Sequence, residues 1–235
     1  MHRIPLGMIK TCTIIRDIDR WFVCFAVDGI RNKNNTSLTV GIDVGVKNWM
    51  TLSTGEIIDG PPLIKSINKI KQLQKNLLRK KKGSQNRHKA RLMLAKAWRK
   101  VKLQREDYLH KVTSMLASRY GHIFIEKFGT RGMTRRKRDH KNINRSILDC
   151  SFHMIKRLAA YKAEVVEVDP TNTSRMCSRC GNIGTKKESY VRVFSCKCGL
   201  ELDRDHNAAL NILTRGQGLP FVENKPLLVN ASKSL

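Results

Sequence analysis

Apolar and polar residues alternate along residues 9–28, where Thr11, Thr13 and Ile15 lead to Trp21, Val23, Phe25 and Val27. A period of two marks strands, and the break at Asp17–Arg20 predicts a hairpin. Residues 29–37 (GIRNKNNTS) are polar and turn-rich and read as a linker. Three short β-rich runs follow, LTVGIDVG (38–45), KNWMTLS (47–53) and GEII (55–58), separated by Gly or Ser. They predict an antiparallel meander with Asp43 near the end of its first strand. From residue 63 the period lengthens. Leu63, Ile67, Ile70 and Leu77, then Leu94, Trp98, Val101, Tyr108, Val112 and Met115, recur at helical spacing. RKKKGSQN (79–86) interrupts the pattern, so a long helical hairpin is expected over 63–120. HIFIEKFG (122–129) is a short strand that delivers Glu126 at its end, and a basic, Gly-containing loop follows at 129–144. A helix over 146–163 directs Ile147, Leu148, Met154, Ile155 and Leu158 inward. EVVEV (164–168) is a strand, DPTNTS (169–174) a turn, 206–214 a last helix, and the tail from Gly216 is loose.

Composition sharpens this picture. At 235 residues with 40% apolar content the chain can bury one good core and a small satellite module. Lys and Arg number 46 against 19 Asp and Glu, a net charge of +27 that calls for a polyanionic partner. The segment 63–120 alone carries 18 Lys or Arg and two acids, Glu106 and Asp107, for a net +16 (18 − 2). That exceeds what solubility needs and points to phosphate contact. No apolar run approaches the roughly 20 residues that span a bilayer, and residues 1–20 lack the order of a secretory signal. A cytoplasmic protein without membrane contact is expected.

Two constellations carry chemistry. Cys177 and Cys180 in CSRC, then Cys196 and Cys198 in CKC after a gap of 15 residues, offer two close thiolate pairs. One tetrahedral Zn²⁺ can gather both pairs, and four thiolates leave no position for a reacting water, so its role is structural. Disulfides or an iron–sulfur centre are the other readings of the same spacing. Cys12, Cys24 and Cys150 sit in apolar settings and are expected as buried thiols. The second constellation is acidic. Asp43 follows an apolar strand, Glu126 follows another, and Asp205 precedes a helix. Three such carboxylates can hold Mg²⁺ ions for phosphodiester hydrolysis. Taken singly, each also fits a plain role: Asp43 capping a turn, Glu126 pairing with a lysine, Asp205 capping its helix.

GIDVGVKNWMTLSTGEII, HIFIEKFGTRGM, NRSILDCSF, VVEVDPTNTSRMCSRCG and DRDHNAALNIL occur in this order. Together they resemble the C-terminal half of the transposon-encoded TnpB (OrfB) proteins, relatives of type V CRISPR effector nucleases, over residues 9–213. The resemblance implies an α/β fold: an RNase H-like (RuvC) mixed sheet with the basic helical hairpin inserted and a zinc ribbon before the last helix. It implies an RNA-guided DNA endonuclease with DNA and a guide RNA as partners, structural Zn²⁺ at Cys177, Cys180, Cys196 and Cys198, and Mg²⁺ at Asp43, Glu126 and Asp205 as catalytic residues. It favours Asp205 over Asp203, leaving Asp203 as a supporting or surface residue and His206 exposed. The expected domains are a remnant of an N-terminal β-barrel at 1–30, a nuclease core at 38–169 that includes the hairpin 63–120, the ribbon at 170–200, a final nuclease segment at 201–214 and a flexible tail at 215–235.

The chain departs from the family pattern in two ways. Only the last hairpin of the barrel is expected at its start, as in an N-terminally truncated copy. At AAYKAEVVEV no connecting residues separate helix from strand, so the helix must end early or the strand must shorten. These departures keep a second reading open, a nucleic-acid-binding remnant without cleavage.

Overall fold

A computed structural model describes residues 7–28, 36–45, 47–127, 152–184 and 191–219. Most of the linker, the basic loop at 129–144, the start of the 146–163 helix, Cys150, part of the gap between the two cysteine pairs and the tail from 220 lie outside the described residues. Packing divides the chain into two compact units, one of Met1–Asn32 with Pro61–Lys111 and one of Lys33–Gly60 with Val112–Leu235.

The second unit is built on a five-stranded sheet. Its strands are β3 (Thr39–Asp43), β4 (Met50–Leu52), β5 (Ile57–Ile58), β6 (His122–Glu126) and β7 (Glu164–Val168). Their order is β5-β4-β3-β6-β7. The meander expected at 38–58 forms the antiparallel half, and β6 and β7 run parallel to β3. A helix α3 (Phe152–Ala160) precedes β7, and a helix α4 (Arg204–Gly216) packs on the sheet. Two glycines allow that close packing. A Cβ on Gly41 would lie 2.3 Å from the Ala209 carbonyl oxygen, and one on Gly216 would lie 2.1 Å from the Phe124 ring. The core beneath α4 joins Phe124, Val168 and Ile212, with Val166 and Leu213 beside them.

The junction between α3 and β7 resolves by early termination of the helix. Lys162 and Ala163 both donate backbone N–H groups to the Ala159 carbonyl, at 2.8 and 2.9 Å, which closes a turn. β7 keeps its five residues and pairs with β6 along their whole length. Ala163, with no exposed surface, is small enough to turn inward there.

In the first unit, β1 (Ile9–Asp17) and β2 (Arg20–Val27) form the expected hairpin, with Cys12 opposite Phe25 and Arg16 opposite Trp21. It is a two-stranded sheet with no further strand on either edge among the described residues. Nearly all of its residues are exposed on both faces, and Cys12 and Cys24 are exposed thiols, not the buried ones expected. The hairpin tip is tied down: Asp19 pairs with Lys96 (2.7 Å) and Arg99 (2.9 Å). Arg99 also donates to the Asp17 carbonyl at 2.9 Å. Helices α1 (Ile64–Leu78) and α2 (Gln85–Arg119) make the helical hairpin. Leu63, Ile70 and Val101 form its seam with Ile67, Leu94 and Ala97. The turn between them has a local cause. Ser84 Oγ accepts the Arg87 N–H at 3.2 Å, as an N-cap does, and the Arg87 guanidinium closes the end of α1 on the Leu77 and Lys80 carbonyls. Trp98 departs from the expected inward set, at 42% exposed, whereas Leu109 is fully buried.

Candidate functional site

The four cysteines come together on short connections. A bridge between Met176 and Ile183 shapes the first knuckle, and strands β8 (Val193–Ser195) and β9 (Glu201–Asp203) flank the second. All four Sγ atoms lie within 4.8 Å of one another, with Cys177–Cys198 and Cys180–Cys196 at 3.6 Å. A tetrahedral zinc with Zn–S bonds of about 2.3 Å separates its sulfurs by about 3.8 Å, so the cluster fits that ion. Burial pushes the Cys177 thiol up to about 12, whereas the Leu200 backbone N–H holds exposed Cys198 down to about 7. A bound cation removes that difference by stabilising every thiolate. Phe194 and Leu200 supply the small apolar floor.

The three carboxylates reach one end of the sheet by different routes. Ile42 pairs with Ile125 across the parallel strands β3 and β6, so Asp43 and Glu126 leave adjacent strands at the same C-terminal edge. Asp205 arrives on the first turn of α4, whose packing on Gly41 brings it over β3. Asp43 is raised to about 7, first by burial and then by the negative charges of Glu126 and Asp205. Burial also raises Glu126, partly offset by a hydrogen bond from Thr173 Oγ1. A half-buried carboxyl group raised in this way by burial and by neighbouring negative charge, as Asp43 is, suits a divalent cation, which relieves both costs at once. Among the described residues, only the cysteines converge closely enough to form a ready-made cage.

The plain role expected for Asp205 belongs to its neighbour. Asp203 is the N-cap of α4, and its Oδ1 accepts the backbone N–H groups of Asp205 (2.9 Å) and His206 (3.1 Å). The helix thus begins at Arg204 instead of 206, and capping leaves the Asp205 side chain free to face the sheet edge. His206 is half-buried, not exposed, with Nε2 3.2 Å from the Ser53 carbonyl.

Several residues near these sites carry no signal in the sequence. Asn48 Nδ2 donates to Asp205 Oδ2 at 3.0 Å, and Arg192 Nη1 donates to both Asp205 oxygens at 3.1 Å. Asn207 and Asn211, both fully buried, bolt α4 to the first zinc knuckle. Asn207 bonds the Met176 carbonyl (2.7 Å) and the Ser178 N–H (3.0 Å), and Asn211 bonds the Thr173 and Met176 carbonyls at 2.7 Å. Their i, i+4 spacing puts both on one face of α4.

Known proteins resemble this chain over most of its length. The OrfB_IS605 family, described as "Probable transposase", matches residues 22–137, and the "Cas12f1-like, TNB domain" family matches residues 152–212, which take in the four cysteines and the first part of α4. The chain belongs to the OrfB/TnpB family. Among TnpB relatives, it is 34% identical over 215 residues to a "Putative RNA-guided DNA endonuclease" of Streptomyces pristinaespiralis, covering 88% of this chain and 52% of that one. It is 29% identical over 235 residues to "Putative RNA-guided DNA endonuclease InsQ" of Escherichia coli K12, covering 91% and 58%. The chain thus spans about half the length of the curated relatives it matches. A solved CRISPR-Cas12f ternary complex resembles it with a TM-score of 0.56 and 25% identity, over 82% of this chain and 42% of that one. Mixed α/β architecture, long helices and a four-cysteine cluster are the shared features.

Proposed function

We propose that this chain is a TnpB-like, RNA-guided DNA endonuclease with an RNase H-like (RuvC) site at Asp43, Glu126 and Asp205. One observation carries the reading: two acids leave adjacent parallel strands at the same edge, and a helix packed on Gly41 carries the third to them. Magnesium bound there would activate water and stabilise the leaving oxygen of a phosphodiester. Burial and its acidic neighbours raise the Asp43 carboxyl to about 7, so the part of it that still holds a proton at neutral pH would release it on loading. Thr173 orients Glu126, and Asn48 fixes one oxygen of Asp205. The basic helical hairpin would bind the guide and target backbones as a charged surface, without reading bases. The names of the relatives support RNA and DNA as partners.

A second reading, a nucleic-acid binder without cleavage, draws on the engagement of both Asp205 oxygens by Arg192 and Asn48. Plasmid cleavage with Mg²⁺ and RNA co-expressed from the flanking locus separates the two. Wild-type cutting should disappear in Asp43→Ala, Glu126→Ala and Asp205→Ala while RNA binding persists. Cutting by all three variants would refute the site; no cutting by wild type, with RNA bound, would leave the binder.

A further inference from the structure

Asp205 has few positions left for a cation. Arg192 Nη1 lies 3.1 Å from both carboxylate oxygens, Asn48 Nδ2 lies 3.0 Å from Oδ2, and Arg204 Nε lies 3.7 Å from Oδ1. An ionised carboxylate offers about four lone-pair positions, and the hydrogen bonds from Arg192 and Asn48 take three of them, with Arg204 adding only its charge nearby. A divalent ion on Asp205 would also share the carboxylate with a guanidinium, two positive charges a few ångströms apart. Arg192 has somewhere else to go. Its backbone is fixed, since its carbonyl accepts the Arg204 N–H at 2.7 Å, but its side chain is 26% exposed against 11% for that of Asp205. A guanidinium is also the side chain best matched to a phosphate.

We infer, resting on the carboxylate site proposed above, that Arg192 and a divalent cation compete for Asp205, and that a nucleic-acid phosphate frees Asp205 by taking up the Arg192 guanidinium. Cation and nucleic acid are then coupled positively and reciprocally: each removes the partner that blocks the other. Were Arg192 only a positioning residue for Asp205, its loss would weaken cation binding. Competition gives the opposite sign.

Calorimetric titration of Mn²⁺ into the zinc-loaded, nucleic-acid-free chain reads that sign. Arg192→Gln should bind Mn²⁺ about fivefold or more tightly than wild type. Arg192→Lys, which keeps the charge, should fall between, and Asp205→Ala should lose the binding. Unchanged zinc content and circular dichroism establish that the variants are folded, and the lysine variant carries the test if Arg192→Gln is not. In the reciprocal measurement, Mn²⁺ at constant ionic strength should tighten wild-type binding to a fluorescent duplex more than it tightens binding by Arg192→Gln. Equal or weaker Mn²⁺ binding by Arg192→Gln, with Asp205→Ala inactive in binding, overturns the competition and leaves the carboxylate site standing. Absence of any Asp205-dependent Mn²⁺ binding overturns both.

Discussion

Asp43 is a carboxyl group whose surroundings disfavour its charge. With a pKa near 7 in the folded protein against an ordinary 3.8, it binds a proton between those values that the unfolded chain releases. Stability therefore falls as pH rises from about 4 to about 7, and the cost is fully present above 7. Asp43→Asn removes that cost without changing the shape of the side chain. In magnesium-free buffer at pH 8, urea denaturation should find the variant more stable by about 2–4 kcal/mol, a gain that vanishes near pH 4. An equal gain at both pH values would show that charge is not its source. The candidate acids were legible because each ends an apolar run or sits in a family motif. Asn48 and Arg192 were not, because a polar residue in a bend or beside a short strand looks the same whether or not it meets an acid.

At the scale of elements, α4 ties the candidate acidic site to the four-cysteine module. Asp203 starts the helix, Gly41 and Gly216 let it lie on the sheet, and Asn207 and Asn211 hold it to the knuckle at Thr173–Ser178. Loss of the metal should therefore spread beyond the ribbon. Cys177→Ser or Cys196→Ser should release zinc on elemental analysis, because binding supplies much of a small metal module's folding energy. Amide exchange should quicken in 174–184 and 191–203 and in the first turns of α4. A full zinc complement in either variant would rule this out. The helices and strands themselves followed their periodicities closely. What the pattern left open was how they join, as at α3–β7, where one turn on Ala159 supplies the connection that no Gly or Pro announces.

For the whole molecule, charge dominates. All but four of the 18 basic residues in the helical hairpin (Lys80, Arg87, Arg99 and Arg105) are exposed. Each phosphate contact adds about 0.9 to the slope of log affinity against log salt, so the proposed nucleic-acid binding should weaken steeply between low and physiological salt. In anisotropy titrations, Lys81→Gln with Lys82→Gln should flatten that slope by up to about 2. An unchanged slope would remove this turn from the interface. The same scale explains the exposed thiols. Alternation in β1 and β2 is right for strands, but a two-stranded ribbon has no layer to bury its apolar side chains, whatever its pattern. No helix among the described residues is long and apolar enough to cross a membrane.

The sequence by itself determined the local and the additive: helix and strand spans from period, the thiolate pairs from spacing, the strongly positive net charge from composition, and the family from ordered motifs. Only the tertiary structure decided which acid caps and which faces the sheet edge, and what surrounds it. Asn48 reaches Asp205 across 157 positions and Asn211 reaches Thr173 across 38. Such contacts depend on how β3, α4 and the ribbon pack, and no window along the chain is long enough to contain them.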